Sequence, residues 1–520
     1  MVSVTAVADE YWSLLKRQDP YYAMVSGEQP LSIQPLDERT VGEQSAEADR
    51  LLDQLAQTVP ESGEEDLAAV LEAQLTQQAA RIDQMWHTHP TTPYQSSGIL
   101  VYAEQVIAPQ QGATRARLTE ELAARIRSIA AIVREQRSRG IALPRPAVPG
   151  ARATWLRIRT QVAATLDGEH VADACGEVLD EIAASGEVAG DKVGMAHLRG
   201  GEGTYRDLVR QKTTLYVEPE ELHRLGLEQC AELSEAMADV RSRLGGPADE
   251  SAARDWVQGQ RHLYADSPDA VASVYRRHIE RVDLGVVSQF RSFPQAGFDI
   301  RRADASAEAG MTFGYYQPPT PAEPMGLYRF NGSGLATRSQ LAAAALILHE
   351  LIPGHHFHIA RQRENGSLHP LQQHSLDLGA FNEGWGEYAS GLGWKLGVYQ
   401  DDWDAYGRLS HERFTAQRLV VDTAVNLGLW DRDRAESFMY ANTLEGYRQI
   451  GTEVLRYGTD LPAQALAYRC GYLAFRQARE SAPGLDVRDV HEAMIGGGAV
   501  PLRRMQQRVL DSAERELSDY

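Results

Sequence analysis

The chain has 520 residues, 43% of them hydrophobic and 24% charged, enough to bury a substantial core. Length alone allows about three domains. Its 72 acidic side chains outnumber the 52 basic ones, and the resulting net charge of −20 argues against nucleic acid or an anionic membrane surface as partner.

The N-terminal stretch MVSVTAVADEYWSLLKRQDP is polar and soon charged. It has no apolar signal core, and no later apolar run is long enough to span a membrane, so a cytoplasmic protein is expected. Three cysteines, Cys175, Cys230 and Cys470, stand far apart without CxxC spacing. Buried free thiols are expected, not a disulfide framework or a thiolate metal site.

From residue 5 to 280 the pattern is helical. EYWSLLKR, AEADRLLDQLAQ, LAAVLEAQL, RARLTEELAARIRSIAAIVREQRSR and ELHRLGLEQCAELSEAMADVRSRL repeat apolar residues every three or four positions. PRPAVPGARA (144–153) breaks the run, and 183–205 contains another loop. Between 283 and 335 the texture changes. GVVSQFRSF, FDIRRA, MTFGYYQPP and LYRFNGSG predict short strands and turns among Pro318, Pro319, Pro321 and Pro324. The expected organisation is a helical part over 1–282, a small β element over 283–338 and a helical part over 339–520, joined in one continuous domain. The edge of such a sheet can pair with an extended peptide, with Tyr315, Tyr316 and Asn331 along it. A purely structural hairpin with surface tyrosines fits the same residues.

The densest chemistry follows. Six of the 15 histidines fall between 349 and 374, in HELIPGHHFHIARQRENGSLHPLQQH, and the carboxylates Glu350, Glu383 and Glu387 accompany them. Imidazoles mixed with carboxylates suit a borderline divalent ion such as zinc. Thr337 and Gln340 have the spacing of a capping box, so the helix leading to His349 is read from Thr337. QLAAAALILHE is apolar nearly all round and therefore buried. The spacing departs from HExxH, because Pro353 occupies the position four residues after His349. On a straight helix at about 100° per residue, His356 returns to the face of His349 and His355 does not. Pro353 and Gly354 make a straight helix untenable, and a bulge there brings His355 round. Spacing leaves His355 and His356 both open; the bulge favours His355. Glu383, in FNEGWGEYA, supplies a third ligand of the His, His, Glu kind. A buried hydrogen-bonded network is the plainer alternative.

HELIPGHHFH followed by FNEGWGEYA resembles the bacterial family known as domain of unknown function 885, which is grouped with the zinc-dependent gluzincin peptidases. TTLYVEPEELHRLGLEQ (213–229), YYQPPTPAEPMGLYRFN (315–331), AQRLVVDTA (416–424), 453–479 and VHEAMIGGGAVPL (490–502) extend the likeness. It implies a mainly α, neurolysin- or thermolysin-related fold with a small sheet beside a deep central cleft. It also implies Zn²⁺ on His349, His355 and Glu383, with Glu350 as general base. His356 would then steady the oxyanion or a substrate carboxylate.

Beyond this set, Arg418 and Asp422 have the spacing of an intrahelical pair. Arg456 and Tyr457 are candidate oxyanion donors. Where the family pattern continues RLVVDT with Gly, a hydrophobic residue and His, this chain has Ala424, Val425 and Asn426. Asn426 cannot shuttle a proton, so as a substrate-binding residue it would signal an altered substrate. The expected activity is metal-dependent hydrolysis of a peptide or amide bond in a short peptide or small amide. The alternatives are a hydrolase or lyase of small-molecule metabolism and a catalytically silent binding protein; retention of Glu350 argues against the last.

Overall fold

The computed structural model describes residues 2–166, 168–282, 285–304, 308, 314–320, 323–375 and 377–518. It is mainly helical with one small sheet. Nine helices that matter here precede the sheet: α1 (Val4–Gln18), α2 (Glu38–Ala56), α3 (Glu65–Ala79), α4 (Gly112–Ser138), α5 (Val148–Leu166), α6 (Glu169–Val188), α7 (Gly201–Thr213), α8 (Pro219–Arg243) and α9 (Pro268–Val282). The strands are β1 (Phe298–Arg302), β2 (Gly314–Gln317) and β3 (Gly326–Phe330). After them come α10 (Ala343–Glu350), α11 (His355–Glu364), α12 (Gly379–Gly391), α13 (Asp402–Asn426), α14 (Tyr447–Leu455), α15 (Leu466–Ser481) and α16 (Leu502–Ser518).

Amphipathic stripes explain how these pack. One core joins the first helices to the last: Val4, Val7, Leu51 and Val70 share it with Phe357, Trp385, Phe475 and Met505. A second, around Trp155, belongs to α4, α5 and α6. α8 lies along α13, and α12 along α15. In the sheet β3 is central, parallel to β1 and antiparallel to β2 (Tyr316 opposite Tyr328), which leaves β2 on an edge. α9 and α10 back the sheet through Tyr275, Leu346 and Ile347. All eight residues of α10 are buried, as its apolar sequence requires. Cys175, Cys230 and Cys470 are free and buried. Among the described residues no helix is long and apolar enough to cross a membrane.

Several local expectations are corrected. The helix read from Thr337 begins at Ala343. Ser339 instead bridges Tyr264, and the amide of Gln340 donates to the Leu263 carbonyl at 2.6 Å, so neighbouring chain replaces the capping box. GVVSQFRSF forms a single 3-10 turn at Val286–Ser288, because Phe290 turns inward against Phe357 at 4.7 Å between ring centroids. Residues 311–313 of MTFGYYQPP and Pro321 lie outside the described residues.

The consequential difference is at Pro353. The helix does not bulge; it stops at Glu350 and restarts at His355. A methyl group on Gly354 would overlap the carbonyl of His349, so only glycine lets the chain fold back this closely. Trp385 of α12, fully buried, donates from Nε1 to the Pro353 carbonyl at 2.8 Å and fastens the break to the neighbouring helix. Trp385→Phe keeps an aromatic ring and removes that bond. It should destabilise the fold by about 1–3 kcal/mol, read as a lower urea midpoint, since the carbonyl is left buried without its donor. An unchanged midpoint would show that the break needs no fastening.

Candidate metal centre

Because the helix is interrupted, α10 ends and α11 begins at one place. His349 Nε2 and His355 Nε2 each lie 3.4 Å from the same oxygen, Oε2 of Glu383, which α12 brings alongside. The two imidazoles meet edge to face, 4.6 Å between centroids. These three side chains can hold one ion between them. Ligand atoms bonded at about 2.0–2.1 Å in a tetrahedron stand about 3.3 Å apart, close to this spacing. α12 comes near enough because position 386 is glycine: a Cβ there would stand 2.8 Å from the His349 ring.

A second layer surrounds the cluster. Nδ1 of His349 lies 3.1 Å from Oε1 of Glu387, one turn beyond Glu383 on α12. The same oxygen accepts from His411 Nε2 of α13 at 2.8 Å, and Arg408 approaches the other oxygen at 3.4 Å. A carboxylate behind a ligating imidazole fixes its tautomer and raises its basicity. Nδ1 of His355 has no such partner among the described residues. His349, Glu387 and His411 form a second constellation of metal-ligand type, on the opposite edge of the His349 ring.

The imidazoles and carboxylates of the cluster shift one another's ionisation. Burial alone would push His349 down, but Glu383 and Glu387 hold its ring up to about 10. Burial opposes ionisation of Glu383, yet His349 and His355 keep it well below the ordinary carboxylate range. Burial raises Glu350, and the two histidines counter only part of that. The Tyr316 backbone amide favours the ionised form of Glu350, so β2 borders the cluster.

The other anticipated residues are placed differently. His356 is fully buried and spans two elements: Nε2 sits 3.0 Å from the Ala296 carbonyl and Nδ1 3.0 Å from the Tyr316 hydroxyl. With burial holding it down to about 4, His356 is neutral, donating to the carbonyl and accepting from the tyrosine. Both nitrogens are occupied, so the anticipated hold on an oxyanion or substrate carboxylate is corrected to a brace between α11 and β2. Tyr316 is the other half of that brace, while Tyr315 is exposed on the edge strand. Asn331 caps the turn after β3, accepting from Ser333 and donating to the Glu308 carbonyl at 2.9 Å.

Asn426 also binds protein and not a ligand. Its amide group donates to the carbonyls of Asp422 and Tyr457, and its oxygen accepts from the Met195 amide at 3.1 Å. Arg418 and Asp422 do not pair within α13. Arg418 reaches Glu453 and Tyr457, whereas Asp422 accepts from the Tyr205 hydroxyl at 2.7 Å and from the Ala463 amide. Tyr457 is fully buried and donates to Glu453, so its hydroxyl is committed. Arg456 donates to Gln464 at 2.6 Å and stacks over Tyr94.

Two residues escaped the sequence reading. His411 is a lone histidine in a charged helix and gives no signal of its own. Tyr468 lies flat against the His349 ring (6.2 Å, 15°), contacts Arg456 and has the Arg418 guanidinium over its own face. It is three residues before Gly471, which packs backbone to backbone on Gly384 of α12. That pair of glycines in FNEGWGEYA and AYRCGYLAF was the available signal for a face turned toward the ligands.

No curated protein matches the chain. Two solved structures share its fold over nearly its whole length. A "putative lipoprotein" from Colwellia psychrerythraea superposes with a TM-score of 0.85 at 20% identity, covering 99% of this chain and 100% of that one. A "putative lipoprotein of unknown function" from Shewanella oneidensis does so with a TM-score of 0.73 at 16% identity, covering 98% of each. The family of bacterial proteins of unknown function DUF885 matches residues 20–509, and the chain belongs to that family.

Proposed function

We propose that the protein is a metal-dependent hydrolase of the gluzincin kind, cleaving a peptide or amide bond in a short peptide or small amide. The observation that carries this reading is the common 3.4 Å spacing of the two Nε2 atoms from one oxygen of Glu383. A structural salt-bridge network has no need to bring both ring nitrogens to one carboxylate oxygen at the same distance. Zn²⁺ or a similar ion held by His349, His355 and Glu383 would polarise the scissile carbonyl and lower the pKa of a water.

The chain's own residues supply the rest. Glu350, adjacent to His349 and raised by burial, takes the proton of the attacking water and passes it to the departing amine. Tyr468, beside the His349 ring and in contact with Arg456, is the better candidate to donate to the developing oxyanion, because the Tyr457 hydroxyl is committed to Glu453. The open edge of β2 lies beside the cluster, the Tyr316 ring stacked 6.5 Å from His355, and can pair with an extended substrate backbone. With Asn426 absorbed into the scaffold, the argument for an altered reaction at that position falls away.

Two outcomes test this reading. The purified protein should carry close to one zinc-class ion per chain by elemental analysis; His355→Ala should lose it, and His356→Ala should retain it with lower thermal stability. Metal retained by the first variant and lost by the second would reverse the assignment. Glu350→Gln should keep the ion and lower kcat by about 10²–10⁴ on a panel of short peptides and acyl amides. Metal loss in that variant would make Glu350 a ligand, and wild-type rates would remove it from the mechanism.

A further inference from the structure

Behind the ligand cluster, α13 turns one face toward α12. Arg408, His411 and Glu412 stand at i, i+3 and i+4 of α13, so they share that face. Their side chains are only 6%, 10% and 14% exposed, which makes it an inward face. Two of the three close on the buried Glu387. His411 Nε2 lies 2.8 Å from its Oε1, and Arg408 Nη1 lies 3.4 Å from its Oε2. Oε1 is also the oxygen that faces His349 Nδ1 at 3.1 Å. Three helices therefore meet at one carboxylate: α10 through His349, α12 through Glu387 itself and α13 through His411.

The two partners on α13 act on different oxygens. Arg408 is divided among several acceptors, with Glu412 at 3.5 Å and Ser390 Oγ at 3.4 Å besides Glu387. Glu412 in turn accepts from Arg469 of α15, whose guanidinium reaches Gln229 of α8. That chain of contacts leads away from the cluster into the scaffold. The shorter contact, to His411, keeps Oε1 turned toward His349. An ionised carboxylate only accepts, and each of its oxygens has room for two donors, so His411 carries its proton on Nε2 and His349 on Nδ1. The neutral His349 ring then presents an unprotonated Nε2 on the side of Glu383, as a metal ligand must.

His355 has no comparable support, since its Nδ1 meets no partner among the described residues. The alignment of the two imidazoles consequently rests on the His349 side. We infer that His411 is the positioning residue of the metal centre: it holds Glu387 Oε1 against His349 Nδ1, and so fixes the tautomer and the plane of the His349 ring. This role rests on the metal-centre reading and adds to it a residue from α13, outside the two motifs that carry the ligands.

The measurement is the zinc affinity of the metal-stripped full-length chain, titrated with zinc alone against a chelating indicator. His411→Phe fills the space without a donor and should weaken zinc binding by about 10–100-fold. His411→Gln, whose side-chain amide can reach the place of Nε2, should restore most of that loss. A residue that merely packs would be served as well by Phe, and the two metal-stripped variants should melt alike. In a Glu387→Gln background, His411→Phe should add little, since both changes break the same contact. Unchanged affinity in His411→Phe, no recovery in His411→Gln, or full additivity with Glu387→Gln would overturn the proposal. Complete loss of zinc from His411→Phe would make His411 a ligand and overturn it as well. A wild-type chain that binds no zinc would instead remove the metal centre, and the role of His411 with it.

Discussion

The arrangement at the centre of this protein depends on a helix that stops. His349 and His355 are six residues apart, a spacing that on a continuous helix sends their side chains in different directions. Ending α10 at Glu350 and restarting at His355 lets both imidazoles reach one oxygen of Glu383. Four adjacent features hold that interruption: Pro353, which cannot continue the ladder; Gly354, which passes where a side chain would collide with the His349 carbonyl; the Trp385 indole bonded to the Pro353 carbonyl; and Gly386, which admits the His349 ring against α12. Each feature lies in one of the two short motifs, so the motifs encode the break as much as the ligands.

Much of this was legible in the sequence. The helical stripes of the N-terminal half, the buried character of α10 and the three short strands follow from periodicity and composition. The grouping of His349, His355 and Glu383 was accessible because proline and glycine between two histidines forbid the straight-helix alternative. What spacing could not give was the manner of the distortion: an interruption and a bulge satisfy the same pattern, and neighbouring chain decides between them. The roles expected of His356, Tyr457 and Asn426 were misjudged for a related reason. A polar residue near a motif looks available in sequence, but each of these side chains has its hydrogen-bonding groups taken by the fold. His411 and Tyr468 reach the cluster through tertiary packing that local pattern does not describe.

Charge is distributed unevenly, and the unevenness is informative. The chain is acidic overall, and three carboxylates (Glu350, Glu383 and Glu387) surround His349, a field that favours a cation.

The central claim, that His349, His355 and Glu383 together hold one ion, is tested most directly by anomalous diffraction at the zinc absorption edge from crystals of the zinc-loaded protein. The account predicts a single strong peak equidistant from Nε2 of His349, Nε2 of His355 and the Glu383 carboxylate, at about 2.0–2.2 Å from each. A peak between Nδ1 of His349, Glu387 and His411, or no peak at either place, would contradict it.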